Sequence, residues 1–161
     1  MGYQGVSMGV YTLIIEIQES MKITHRSGLF HVLDKGLFTY TGSALGKTST
    51  SLEKRISRHL RDNKKRFWHI DNLLDKVGSV KWIFFANTNM KIECVLNQRI
   101  MRISGSDVIK NFGSSDCKSK CWGHLVAFKE MTEGTLLVEI GNAYRTADLH
   151  PKMMSKEKWG S

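Results

Sequence analysis

From Gly9 the chain runs Val10-Tyr11-Thr12-Leu13-Ile14-Ile15-Glu16-Ile17, dense in β-branched and aromatic residues and flanked by polar ones. Such side chains pack well on a pleated surface, so the run predicts a buried strand around which the rest of the chain has to be arranged. The 161 residues, 41% of them apolar, suffice for one domain with a genuine core. There is one proline, Pro151, and neither a repeat nor a low-complexity tract, so no linker divides the chain.

Further strand-like stretches cover Met21 to His25 and Gly36 to Thr41, with Asp34-Lys35-Gly36 turning between Leu29–Leu33 and Leu37–Tyr40, which reads as an antiparallel meander. Helical spacing starts after Gly46. Thr50 and Glu53 fit a capping box, Leu52, Ile56 and Leu60 form a buried stripe, and the helix ends near Asn63. Phe67 to Lys76 predicts a second helix, Ser79 to Ala86 another strand, Met90 to Ile103 a third helix through Ile92, Leu96 and Ile100, and Gly134 to Ala143 a late strand. The expected class is α+β.

Lys and Arg number 24 against 15 Asp and Glu, a net charge of +9, which favours a polyanionic partner. No run approaches the ~18 apolar residues of a membrane span, and residues 1–20 lack a signal-like block, so a cytoplasmic protein is expected. Between Lys47 and Arg66 stand eight basic residues, Lys47, Lys54, Arg55, Arg58, Arg61, Lys64, Lys65 and Arg66, against two acidic ones. They are either a solvated face or a phosphate-binding one. Arg55 and His59 are one helical turn apart and share a face: a guanidinium offers forked donors to a phosphate, and an imidazole exchanges protons near neutrality. Glu93, at a helix start, suits a hard divalent cation. Three cysteines are too few and too odd for a disulfide framework; Cys94, Cys117, Cys121 and His124 are instead a candidate structural zinc set.

Taken together, Gly9-Val10-Tyr11, Tyr40-Thr41-Gly42-Ser43-Ala44 and Leu52-Glu53-Lys54-Arg55-Ile56-Ser57-Arg58-His59-Leu60 resemble the core of the GIY-YIG nuclease superfamily. Trp68-His69-Ile70-Asp71, Ile92-Glu93-Cys94, Phe112-Gly113-Ser114-Ser115-Asp116-Cys117 and His124-Leu125 resemble a branch of it rich in archaeal and thermophile members. The resemblance spans residues 9–128, leaving 1–8 as an N-terminal extension and 129–161 as a C-terminal one with room for one added strand. It implies a small three-stranded antiparallel sheet flanked by helices, with an extended hairpin insert between the two tyrosine motifs, since residues 12–39 separate Tyr11 from Tyr40. It also implies catalytic roles for Tyr11, Tyr40, Arg55, His59 and His69, and a metal-binding role for Glu93. The middle residue of the second motif is Thr41 where the superfamily has isoleucine, a change that a strand tolerates. Gly42 is expected to permit a tight turn through positive φ.

The implied activity is hydrolysis of phosphodiester bonds in nucleic acid, DNA in preference to RNA, in repair or processing of damaged or branched DNA, with Mg2+ or Mn2+ at Glu93. Lys47, Lys54, Arg58, Arg61, Lys64, Lys65 and Arg66 are the expected nucleic-acid contacts. Two other readings stand beside it: a binding module without catalysis, and an interaction domain stabilised by zinc.

Overall fold

The computed structural model describes residues 8–24, 28–45, 51–61, 69–76, 78–112 and 121–159. Its frame is built outward from strand β1 (Gly9–Ile17), which pairs antiparallel with β4 (Gly36–Ala44) on one side and with β5 (Gly78–Asn87) on the other. Beyond β4 lie β7 (Leu125–Phe128) and β6 (Ser106–Ile109), and beyond β5 lies β8 (Lys152–Ser155). The order is β6-β7-β4-β1-β5-β8, with every pairing antiparallel. The expected three-stranded sheet is thus a six-stranded one. Its three outer strands have four residues each, too short for an alternation to stand out in the sequence.

Successive side chains of a strand point to opposite faces, and β1 is apolar in both registers, so both faces of the sheet have to be covered. On one face Tyr11, Leu13, Ile15 and Ile17 pack with α1 (Leu52–Leu60) through Leu52 and Ile56, with α2 (His69–Lys76) through Ile70 and Leu73, and with α5 (Lys156–Trp159) through Trp159. On the other, Val10 and Ile14 meet α3 (Glu93–Met101) through Leu96 and Ile100 and α4 (Glu133–Thr146) through Leu136, Ile140 and Tyr144. The chain is α+β, with helices on both faces. Among the described residues no helix is long and apolar enough to cross a membrane.

Three local expectations change. The meander does not form: β2 (Met21–Thr24) and β3 (Phe30–Leu33) pair only with each other, as a separate hairpin inserted between β1 and β4. Gly36, at φ +143°, starts β4 three residues after β3 ends, in a conformation open to glycine. The cap of α1 is Ser51, whose Oγ accepts from the Lys54 N–H at 3.4 Å, while Thr50 lies outside the described residues. Gly134–Ala143 is not a strand but part of α4, capped by Thr132 and burying Leu136, Ile140, Ala143 and Tyr144 at helical spacing. That spacing, with the cap, outweighs the β-branched content that read as a strand.

On the α4 face three hydroxyls are buried together. Thr12 and Thr41, register partners in β1 and β4, are 3.1 Å apart, and the Tyr144 hydroxyl is 2.9 Å from Thr12 and donates to the Phe84 carbonyl at 3.4 Å. Thr41 therefore has a partner, and the pair satisfies hydroxyls that burial would otherwise penalise.

Gly9 leaves no room for a side chain: a Cβ there would collide with the Ala86 carbonyl oxygen of β5 and lie 2.8 Å from a Leu52 methyl. Because the obstruction is backbone, Gly9→Ala is expected to cost about 1–3 kcal/mol, seen as a lower urea midpoint at unchanged m.

Candidate functional site

The register of β1 against β4 sets Tyr11 opposite Gly42 and Leu13 opposite Tyr40, so both tyrosines project into the face covered by α1. The Tyr11 ring lies across Gly42: a Cβ at 42 would be 2.6 Å from the phenol oxygen and 2.8 Å from the ring carbon that bears it. Gly42 is therefore required by close approach, and not by the positive φ expected of it; it is extended within β4.

Across this gap α1 presents His59. Its Nε2 is 2.7 Å from the Tyr11 hydroxyl, and its ring packs 5.4 Å from that of Tyr11 and 6.1 Å, edge-on, from that of Tyr40. His59 is buried, as are both tyrosines, while Leu60, expected in the apolar stripe, is only half-buried. Phe112 closes the far side of Tyr40 and touches His31 of the inserted hairpin, whose Nε2 is 2.9 Å from the Lys110 carbonyl. Arg55, one turn before His59, donates through Nη1 to the Ser43 carbonyl of β4.

Arg58 does something else than expected. Its two terminal nitrogens each donate at 3.0 Å to one carboxylate oxygen of Asp71, which is fully buried in α2. The fork expected on a phosphate is engaged within the protein, where it neutralises a carboxylate that could not otherwise be buried and joins α1 to α2. Asp71, noted in the sequence only as part of a motif, belongs to the site electrostatically. Burial, then the neighbouring Tyr40 and in lesser measure Asp71, hold the Tyr11 phenol well above its ordinary range, against Arg55 and Arg58. Burial and Asp71 do the same for Tyr40, opposed by Arg55. Both are neutral phenols at physiological pH.

Glu93 opens α3 and is buried; its Oε2 has no hydrogen-bond partner among the described residues. Beside it the next residue, Cys94, brings its sulfur 3.7 Å from Nε2 of His124, and with Cys121 the three ligand atoms lie within 4.8 Å of one another. This group could hold a metal ion. Burial lowers the His124 pKa, against the Glu93 charge and a backbone hydrogen bond with Thr41, both of which raise it. Cys117, Lys47, Lys64, Lys65, Arg66 and the side chain of His69 lie outside the described residues; Lys54 and Arg61 are exposed on α1 and its C-cap.

A family model described as "Domain of unknown function DUF123" matches residues 10–146, running past residue 128 to the end of α4. No curated protein and no solved structure matches the chain.

Two outcomes check this geometry. Asp71→Asn strips Arg58 of its charge partner and is expected to cost about 3 kcal/mol, the lower end for a buried pair because Arg58 keeps some exposure, read from denaturant unfolding. The three phenols Tyr11, Tyr40 and Tyr144 all have folded pKa values raised by burial above the unfolded value of about 10. Their contribution to stability is whole below that pH and is lost as the pH climbs through and beyond it. The unfolding midpoint should fall above pH ~10, and replacing Tyr40 by Phe should lessen the fall.

Proposed function

The chain belongs to the DUF123 family, and we propose that it is a metal-dependent endonuclease of the GIY-YIG type, acting on DNA. The observation that carries this reading is the Tyr11–His59 pair at 2.7 Å with Arg55 one turn away. A phenol whose pKa burial has raised is a poor base alone. Bonded to an imidazole it can take a proton from an attacking water while passing its own to Nε2, so that no buried phenolate has to persist. Arg55 supplies permanent positive charge and forked donors for the non-bridging phosphate oxygens, and Tyr40 orients the phosphate or the water. His69 is a second candidate for proton transfer.

The unpartnered Oε2 of Glu93 fits a hard cation, Mg2+ or Mn2+, held by that carboxylate. Bound there, such an ion supplies Lewis-acid stabilisation of the departing oxygen. The basic residues Lys54 and Arg61 of α1, with Lys47, Lys64, Lys65 and Arg66, extend the phosphate contacts along the duplex. Arg58 is left out of that set, because its fork is on Asp71. The net charge of +9 supports a polyanionic substrate.

A pure binding face would treat the cations of α1 alike; a catalytic site would not. Arg55→Lys is therefore expected to lower the single-turnover cleavage rate on the order of 100-fold or more with little change in affinity. Lys54→Arg, on the exposed side of the same helix, should leave the rate unchanged. Equal and small effects of the two, measured with saturating protein on the best of plasmid, single-stranded, branched and abasic substrates, would leave a binding module without catalysis.

A further inference from the structure

We propose that Cys94, Cys121 and His124 bind a zinc ion that fastens the first turn of α3 to the entry of β7 and so fixes the position of Glu93. Zinc takes thiolate sulfur at ~2.3 Å and imidazole nitrogen at ~2.0–2.1 Å in a tetrahedron. The S···N edge of that tetrahedron is then ~3.6 Å, against the 3.7 Å between Cys94 Sγ and His124 Nε2. The Cys121 sulfur, within 4.8 Å of both other donors, has to move in by at most about 1 Å to complete three corners. The fourth is left for water or another donor.

Three features separate this group from ordinary buried thiols. Neither cysteine belongs to either of the two apolar clusters that make up the core, although both are buried. The donors come from two distant stretches of chain, and the stretch that gives two of them is held from three sides. Asn97 of α3 donates to the Gly123 carbonyl at 2.6 Å, the Thr41 N–H of β4 donates to the His124 carbonyl at 3.3 Å, and the Asn111 N–H donates to the Trp122 carbonyl at 2.6 Å. The His124 N–H adds a bond to the Phe112 carbonyl at 2.7 Å, and a Cβ at Gly123 would collide with the Ile109 carbonyl. Such outer contacts orient ligands before an ion arrives. Finally, a cavity of about 410 Å³ lined by Gln98, Met101, Arg102, Val108, Cys121 and Trp122 reaches the Cys121 side and provides an entry path.

On binding, each thiol releases its proton. Two thiolates, one neutral imidazole and a divalent ion sum to zero charge, which suits a buried place. A hard cation would choose the Glu93 oxygen instead, and the two sites divide by softness. Because Glu93 precedes Cys94 directly, anchoring the thiolate holds the carboxylate. Its importance for cleavage rests on the nuclease reading; the ion and its ligands stand without that reading.

The test uses full-length protein expressed with zinc and purified under reducing conditions without chelator. One zinc per chain is expected, and cobalt in its place should give a thiolate-to-cobalt charge-transfer band with tetrahedral ligand-field bands. Cys94→Ser and Cys121→Ser should each weaken zinc binding by at least the ~10–100-fold typical of lost outer-shell partners and diminish the charge-transfer band, while Glu93→Gln keeps one zinc. If a serine variant fails to fold, the wild-type metal content and cobalt spectrum decide. Wild-type protein that takes up neither zinc nor cobalt, or a folded serine variant with the wild-type spectrum, overturns the proposal. Stoichiometric zinc with no cleavage of any nucleic acid leaves the metal site standing and removes the nuclease reading alone. Zinc removal that lowers both the melting temperature and the cleavage rate at saturating Mg2+ supports the link to Glu93; an unchanged rate removes that link.

Discussion

The molecule depends on a strand that has no outer face. With β4 and β5 bonded to its two edges and apolar side chains in both registers, β1 is buried along its length except at Glu16, and helices close both of its faces. A one-residue slip of β1 against β4 would exchange the contents of the two clusters, carrying Tyr11 to the α4 side and Thr12 to the α1 side. Burial thus fixes register, and register fixes which polar groups meet. The tyrosines, His59 and Arg55 converge because the strand pairing and the apolar face of α1 leave them no other arrangement.

Placing so many polar groups inside has consequences for how they behave. Tyr11, Tyr40 and His59 sit with Ile56 and Leu13 in one core cluster or beside it, and Asp71 is buried beneath Arg58. Asp71 and Arg55 bear on both phenols and Arg58 on Tyr11, so the ion pair is part of the electrostatic setting as well as a tie between helices. Chemistry at such a place runs through proton exchange between neutral partners more readily than through isolated charges.

How much of this the sequence discloses follows from length and from partnership. The strands at 9–17, 36–44 and 78–87 and the helices at 52–60 and 93–101 are long enough for composition or spacing to show, and each is found within a few residues of its expected place. Four-residue strands carry no such signal, and α4, rich in β-branched residues and glycine, is a helix because of its Thr132 cap and the apolar stripe it buries. Site residues were legible as types but not as pairs. Arg58 reads as a surface cation until Asp71 is seen thirteen residues on, and no local pattern announces that pairing. Gly42 suggests a turn in the sequence but serves close approach in the fold, since a ring crossing from the paired strand is invisible along the chain. Of the candidate zinc ligands, Cys94, Cys121 and His124 come within reach of one ion, and Cys117 lies outside the described residues.

The hydroxyl cluster on the opposite face has a consequence for motion. Thr12 and Thr41 are the immediate neighbours of Tyr11 and Tyr40, and Tyr144 bonds Thr12 and the Phe84 carbonyl from α4. Any sliding of β1 past β4 that would separate the two phenols has to break these bonds, deep in a region water does not reach. The spacing of the phenols is thereby latched from behind, by atoms no substrate could touch. A ligand entering on the α1 side meets strands that cannot shear to accommodate it, and adaptation is left to the side chains and segments around them.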